Sequence, residues 1–120
     1  LPSGEKISAI KSIIDKNALG VILSCVSPEN YEKNLKELKE LNVPFGFKLN
    51  GFITTKSNGG YKANYLKSNG NPNEFLGQRK DLTPDNIYKI TKKFKESGAT
   101  IIGGCCETGP AHTKAMAKLK

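Results

Sequence analysis

The stretch ALGVILSCVSPE, residues 18–29, contains a change from strand to helix that decides the fold class of the chain. Residues 18–25 form a nearly continuous apolar run, which is typical of a strand buried on both faces of a parallel sheet. Ser27 is a favourable helix N-cap, Pro28 suits the first helical position, and Glu29 suits the positive end of the helix dipole. The stretch therefore predicts a buried strand followed directly by a helix.

The same alternation continues along the chain. Isoleucines at helical spacing predict a helix ahead of the first strand, and two later apolar runs predict further buried strands. Helices that alternate with short buried strands indicate an α/β fold with a parallel sheet covered by helices. The predicted order is helix 4–16, strand 18–25, helix from 27, strand 43–50, irregular segment 51–82, helix 83–98, strand 99–104 and helix from 108.

Composition and charge argue against a nucleic-acid-binding protein. The 120 residues suffice for one globular domain, and 37% of them are hydrophobic. The net charge of +8 favours nucleic acid, but the lysines are spread along the chain and Arg79 is the only arginine. There is no tryptophan and no alternation of aromatic and basic residues for stacking bases. We therefore expect no nucleic-acid partner.

The sequence also lacks the patterns of membrane and secreted proteins. No apolar run approaches the roughly 20 residues that span a bilayer, and residues 1–6 are too polar to begin a signal peptide. Three cysteines are an odd number, which argues against a closed set of disulfides. We expect a cytoplasmic protein with no membrane partner, whose thiols stay free for metal binding or catalysis.

The three cysteines lie where a parallel sheet would bring them together. Cys25 ends the first predicted strand, and Cys105 and Cys106 follow the last one. The carboxyl ends of parallel strands meet at one edge of the sheet, so distant residues can share a site there. Three thiolates match a Cys₃ zinc site whose fourth position is open. The alternative is that these cysteines are buried as small hydrophobic side chains.

Five further residues border this predicted site. Gly103 and Gly104 lack Cβ atoms, so backbone or ligand can approach them closely. Asn50 follows the second strand and either contacts a substrate or forms an ordinary Asn-Gly turn. For Glu107 we favour stabilisation of a helix N-terminus over acid–base chemistry. For His112 we favour a solvated polar residue over a metal ligand or base, and no residue is predicted to be catalytic.

Four separated segments resemble the homocysteine S-methyltransferase family. Residues 101–112, IIGGCCETGPAH, are similar to the family's zinc signature, and residues 19–29 are similar to the segment that carries its first zinc cysteine. Residues 44–51 are similar to the family's next strand, and residues 79–84 to the stretch before the helix that precedes its final strand. The segments follow the family's order and cover nearly the whole chain.

The resemblance implies a particular fold. The chain is expected to be the C-terminal part of a (β/α)₈ TIM-type barrel, with its three strands as the sixth, seventh and eighth. Residues 1–120 would then be a partial homocysteine-binding domain without the N-terminal half. Because a partial barrel exposes strand edges, the chain would self-associate or be completed by another chain.

The resemblance also implies a reaction. The expected activity is zinc-dependent transfer of a methyl group from a sulfonium or ammonium donor to the thiol of homocysteine, which gives methionine. The segment 56–73 is then either a lid over the methyl donor or a solvated loop. The implied Zn²⁺ ligands are Cys25, Cys105 and Cys106, and the implied substrate contacts are Asn50, Gly103 and Gly104.

Two departures from the family's pattern bear on the pocket. Glu107 stands where the family usually has glycine, and Ser24 stands where it often has asparagine. Both change the polarity of the pocket without removing a metal ligand. Two other functions remain open: a zinc or soft-metal binding module without chemistry, and a thiol redox protein that uses Cys105 and Cys106.

Overall fold

The computed structural model describes residues 5–54 and 76–120. In these residues a short 3-10 helix is followed by three strands that alternate with three α-helices. The elements are the 3-10 helix Ile7–Ser12, β1 Val21–Val26, α1 Pro28–Lys39, β2 Phe45–Leu49, α2 Pro84–Glu96, β3 Ile101–Gly104 and α3 Pro110–Ala117. The predicted α/β class is confirmed.

The three strands form one parallel sheet in the order β1-β2-β3. Val21 of β1 is aligned with Phe45 of β2. Gly46 of β2 is aligned with Ile101 of β3. Because all three strands run the same way, their carboxyl ends lie at one edge of the sheet, as the predicted cysteine site requires.

One face of the sheet packs against the helices around three aromatic rings. Phe47 of β2, Tyr31 of α1 and Phe94 of α2 are fully or almost fully buried. The ring centroid of Tyr31 lies 4.9 Å from that of Phe47 and 4.8 Å from that of Phe94, in the inclined arrangements that aromatic pairs prefer. The hydrophobic core therefore lies between the sheet and α1 and α2.

The helix ends follow the predicted signals. The hydroxyl of Ser27 accepts a hydrogen bond from the N–H of Asn30 over 3.3 Å and caps α1. The hydroxyl of Thr83 accepts one from the N–H of Asn86 over the same distance and caps α2. Gly98 follows α2 with a φ of 108°, a conformation that favours glycine. None of the helices in the described parts of the chain is long and apolar enough to cross a membrane.

The first predicted helix is wrong in length and type. Instead of a helix over 4–16, the described residues form a 3-10 helix at Ile7–Ser12, in which only Ile7 is buried. The carboxylate of Asp15 accepts a hydrogen bond from the N–H of Asn17 over 2.7 Å. Such a local contact offers the backbone an alternative to the helix and favours a turn there.

The prediction that the first strand is buried on both faces is also wrong. β1 lies at the edge of the sheet that the described residues form, and Ile22 within it is 45% exposed, while Leu19 just before it is 92% exposed. Ser24 and Lys48 are exposed on the same side of the sheet as Ile22. We call this side, opposite α1 and α2, the open face. The apolar run is therefore covered only on its helix side by the described residues.

The segment predicted to be irregular, 51–82, has paired ends. The N–H of Ile53 donates to the carbonyl of Gly77 over 2.9 Å, and Phe52 forms an antiparallel bridge with Gln78. The two described ends of segment 51–82 therefore lie side by side, next to the carboxyl end of β2. Residues 56–73, predicted to be a lid or a loop, lie outside the described residues.

Candidate metal centre

Three thiol groups meet beyond the carboxyl edge of the sheet. The Sγ atom of Cys106 lies 3.9 Å from that of Cys25 and 3.9 Å from that of Cys105. All three sulfur atoms lie within 4.8 Å of one another. All three cysteines are free, and these separations are far longer than the roughly 2.0 Å of a disulfide bond. The predicted meeting of these three residues is confirmed.

Cys25 reaches the cluster through a bulge in β1. The residues on either side of it are aligned with two successive residues of β2, Lys48 and Leu49. Cys25 is therefore an extra residue, and its φ of 53° lies in the left-handed region, which is uncommon for a residue with a Cβ atom. A bulge bends a strand and redirects a side chain. At Cys25 the bulge directs the thiol toward the other two cysteines.

Asn50 holds the backbone of this bulge. Its side chain is fully buried, and its Nδ2 donates to the carbonyl oxygen of Cys25 over 2.6 Å. Its Oδ1 accepts from the N–H of Phe52 over 3.2 Å, and its own N–H donates to the carbonyl of Val26 over 3.0 Å. Asn50 thus links β1 to the segment after β2. Contact between Asn50 and a substrate stays a prediction.

Hydrogen bonds to the end of β2 fix the cysteine pair. The N–H of Cys105 donates to the carbonyl of Leu49 over 2.7 Å, and the N–H of Gly51 donates to the carbonyl of Cys106 over 2.8 Å. The hydroxyl of Thr108 donates to the carbonyl of Cys105 over 2.5 Å. The turn after β3 is therefore anchored on both sides of the thiols that it carries.

The two glycines before the pair have different surroundings. A Cβ atom on Gly104 would lie 2.3 Å from the Oγ1 atom of Thr108, which is closer than real atoms approach. A Cβ atom on Gly103 would lie 3.4 Å from the Cγ atom of Lys48, an ordinary contact. Gly104 is therefore required by the turn, whereas Gly103 leaves space beside Lys48. Their contact with a substrate stays a prediction.

The thiols differ in their tendency to ionise. Partial desolvation of the thiol by its neighbours, together with hydrogen bonds and charge interactions within the cluster, raises the pKa of the solvent-accessible Cys25 to about 12. Burial also acts to raise the pKa of Cys105, but hydrogen bonds from the Cys106 N–H and the other thiols outweigh it, and the charge of Lys48 adds to them. The pKa of Cys105 therefore lies below its ordinary value, and Cys105 ionises more readily than Cys25.

The sequence matches one family along nearly its whole length. A sequence model described as "Homocysteine S-methyltransferase" matches residues 1–119. The chain belongs to the homocysteine S-methyltransferase family. Membership supports a methyltransferase, and the resemblance seen in four separate segments is confirmed.

One departure from the family's usual sequence lies at a strained backbone position. Glu107 has a φ of 61°, in the left-handed region where a side chain is unfavourable and glycine is not. Its Cβ lies close to Gly51, because a Cβ atom built there would be 3.0 Å away. The glycine that the resemblance leads us to expect at this position would fit this conformation better. The other departure, Ser24, is exposed on the open face.

His112 lies outside the cluster and serves the fold. Its Nδ1 accepts a hydrogen bond from the N–H of Gly109 over 3.0 Å, so in the neutral ring Nε2 carries the proton. Nε2 lies 2.7 Å from the carbonyl oxygen of Leu82 and donates to it. Among the described residues, the cluster with metal-binding geometry contains only the three cysteines. The prediction that His112 is simply solvated is therefore wrong, because both ring nitrogens are bonded within the fold.

Arg79 is a structural residue that the sequence interpretation treated only as part of the composition. Its Nη1 lies 2.8 Å from both carboxylate oxygens of Glu29, and its Nη2 lies 2.6 Å from Asp81. The backbone N–H of Arg79 donates to the carbonyl of Gly51 over 2.7 Å. Arg79 thus ties the segment after β2 to the start of α1. The sequence feature that could have indicated this role is that Arg79 is the single arginine in a chain rich in lysine.

Proposed function

We propose that Cys25, Cys105 and Cys106 bind Zn²⁺, and that the chain takes part in methyl transfer to the thiol of homocysteine, giving methionine. The meeting of three sulfur atoms within 4.8 Å carries this proposal, in a member of the homocysteine S-methyltransferase family. The methyl donor is a sulfonium or ammonium compound. The new S–CH₃ bond forms as the donor's bond to the methyl group breaks, and the thiol proton is released.

The donor set fits zinc. Tetrahedral zinc with Zn–S bonds of about 2.3 Å places its sulfur ligands about 3.8 Å apart. The separations of Cys106 Sγ from the other two sulfur atoms are both 3.9 Å, close to this value, and the third pair lies within 4.8 Å. Cys25 and Cys106 are exposed, which leaves a path for a fourth ligand. Thiolates also favour zinc over magnesium or calcium.

The metal and the protein chain have separate roles in the proposed chemistry. Zinc would supply a Lewis acid that keeps a bound thiol ionised at neutral pH. The chain's own contribution is to hold the three cysteines in place, through the hydrogen bond of Asn50 to Cys25 and the anchored turn at Cys105. We place the substrate beside Asn50, Gly103 and Gly104. A reducing cytoplasm would keep the thiols free for this use.

We also propose that residues 1–120 are the sixth to eighth strands of a (β/α)₈ TIM-type barrel. The parallel order β1-β2-β3 and the position of the cysteines at the carboxyl edge support this, because barrel enzymes bind ligands at that edge. The exposure of Ile22 on the open face fits a surface that the rest of a barrel covers.

Zinc content measured by elemental analysis tests the proposed centre. We expect one zinc ion per chain, its loss in Cys25→Ala, and a change in the zinc X-ray absorption edge when homocysteine is added. Ser24→Ala, at the neighbouring exposed residue, is the matched control and should keep its zinc. Full zinc binding by Cys25→Ala would disprove the three-cysteine site. Zinc that does not respond to homocysteine would favour a binding module, and a Cys105–Cys106 disulfide without zinc would favour a redox protein.

A further inference from the structure

A lysine lies on the open face directly before the metal centre. Lys48 is the only charged residue of β2, and it is exposed while the other residues of that strand are buried. It is aligned with Ser24 of β1 and with Gly103 of β3. These three residues therefore form one row across the open face, in which Lys48 has the hydroxyl-bearing Ser24 on one side and Gly103, which has no side chain, on the other.

Space for the Lys48 side chain comes from Gly103. A Cβ atom there would already be 3.4 Å from Lys48 Cγ, so a longer side chain would compete with the lysine stem. The stem can therefore lie across β3 on the open face, the side of the sheet on which residues 5–54 and 76–120 place no helix. A lysine stem packed along a strand keeps its charged end free for an anionic ligand.

The row lies at a suitable distance from the thiols. Gly103 precedes Cys105 by two residues, which corresponds to about 6.6 Å along a strand. Three carbon atoms separate the sulfur of homocysteine from its carboxylate carbon, so an extended molecule spans about 5 Å between these groups. A homocysteine with its sulfur at the cysteine cluster can thus place its carboxylate near Lys48.

We propose that Lys48 is a specificity-determining residue that binds the carboxylate of the thiol substrate, with the Ser24 hydroxyl as a second donor. This rests on the proposed function, since it assumes that a thiol binds at the three cysteines. It also narrows the substrate class to thiols that carry a carboxylate two or three carbons from sulfur. An ammonium group makes a charge-assisted hydrogen bond with a carboxylate, whereas a neutral ester loses that charge.

Binding of two ligands to the zinc-loaded full chain tests the assignment. The ligands are L-homocysteine and its methyl ester, which keeps the thiol and the amine but has no carboxylate. For Lys48→Met we expect the Kd of homocysteine to rise about tenfold, the typical effect of losing one charge-assisted hydrogen bond. The Kd of the ester should stay unchanged, and Lys48→Arg should retain most of the affinity. Lys89→Met, at an exposed lysine of α2, is the control for net charge.

The outcomes separate this proposal from the proposed function. If the wild-type chain binds homocysteine through sulfur, and Lys48→Met weakens both ligands equally or neither, the role of Lys48 is disproved and the methyltransferase proposal stands. Loss of zinc from Lys48→Met would likewise disprove carboxylate binding and assign the lysine to the metal centre. Failure of the wild-type chain to bind homocysteine sulfur at zinc would overturn the proposed function and this assignment together.

Discussion

The buried amide of Asn50 donates a hydrogen bond to the carbonyl oxygen of Cys25 over 2.6 Å. Cys25 has a left-handed backbone, which is unfavourable for a residue with a Cβ atom and persists only where neighbouring groups fix it. Asn50 is such a neighbour, because its own backbone is bonded to Val26, the residue after Cys25. A residue at the end of β2 therefore helps to set the direction of a thiol at the end of β1.

Asn50→Ala is expected to weaken zinc binding without changing its stoichiometry. The substitution frees the Cys25 carbonyl, so the thiol samples positions away from the other two sulfur atoms. Residues that hold metal ligands in place typically contribute about 10- to 100-fold in metal affinity, and we expect a loss in that range. Competition with a chromophoric chelator measures it.

A matched asparagine provides the control for Asn50. Asn34 in α1 also donates its amide to a backbone carbonyl, that of Asn30, over 2.7 Å, but it lies on the surface of the helix. Asn34→Ala should therefore leave zinc affinity unchanged. Wild-type zinc affinity in Asn50→Ala, whatever its stability, would show that Asn50 does not position Cys25.

Glu107→Gly is expected to stabilise the fold. Glycine adopts a φ near 61° without the steric cost that a Cβ atom carries, and the greater freedom of glycine in the unfolded chain offsets only part of that gain. We expect the free energy of unfolding to rise by about 0.5–1 kcal/mol, measured by urea denaturation. Glu107→Ala removes the carboxylate but keeps Cβ, so an equal gain in that variant would contradict the backbone explanation.

The arrangement of the cysteines was predictable because it depends on topology. Apolar runs before Cys25 and Cys105 indicate strands, and parallel strands place their carboxyl ends together whatever their exact register. Helix starts at Ser27 and Thr83 were predictable for a similar reason, since N-caps act over three residues.

The finer geometry depends on contacts that no local pattern encodes. The bulge at Cys25 arises between two strands, and its hydrogen bond comes from Asn50, which is 25 residues away. The exposure of Ile22 follows from the open face, which no described element covers, and the apolar run itself does not reveal this. The side chain of Asp15 likewise forms a local turn with Asn17 after the short helix, which periodicity does not capture.

Tyr31→Phe is expected to stabilise the protein. The Tyr31 hydroxyl is buried and has no hydrogen-bond partner among the described residues, although its ring packs against two phenylalanines. Removing an unsatisfied buried hydroxyl while keeping the ring recovers its desolvation penalty, which is about 1–3 kcal/mol. Thermal or urea unfolding at neutral pH measures the gain, and a loss of stability would show that the hydroxyl has a favourable contact.

The same residue should make stability depend on alkaline pH. Burial raises the pKa of Tyr31 from 10.0 to about 12. Between these pH values the unfolded chain loses the phenolic proton while the folded chain keeps it, so the stability of the wild type falls as pH rises through this window. Tyr31→Phe lacks this contribution, and its advantage over the wild type should grow above pH 10. Lysine titration affects the wild type and Tyr31→Phe alike. A difference in their free energies of unfolding that stays constant as the pH rises would therefore contradict the prediction.

His112→Ala is expected to lower stability and leave zinc binding intact. Both ring nitrogens are engaged within the fold, with the N–H of Gly109 and the carbonyl of Leu82, so the substitution removes two hydrogen bonds at the start of α3. We expect a loss of about 1–3 kcal/mol in the free energy of unfolding. Elemental analysis of the folded variant should still find zinc, and its absence would mean that His112 is a ligand.

Gly104→Ala and Gly103→Ala should differ, although the two glycines are adjacent. At Gly104 the added methyl group would meet Thr108 Oγ1 at 2.3 Å, and this hydroxyl holds the Cys105 carbonyl, so the turn that carries two thiols has to move. At Gly103 the nearest atom is Lys48 Cγ at 3.4 Å, at the side of a flexible stem. We expect Gly104→Ala to lose about 1–3 kcal/mol of stability and to bind zinc more weakly, and Gly103→Ala to lose neither. Urea denaturation and chelator competition on both variants measure this, and equal effects would show that the Thr108 contact does not shape the metal centre.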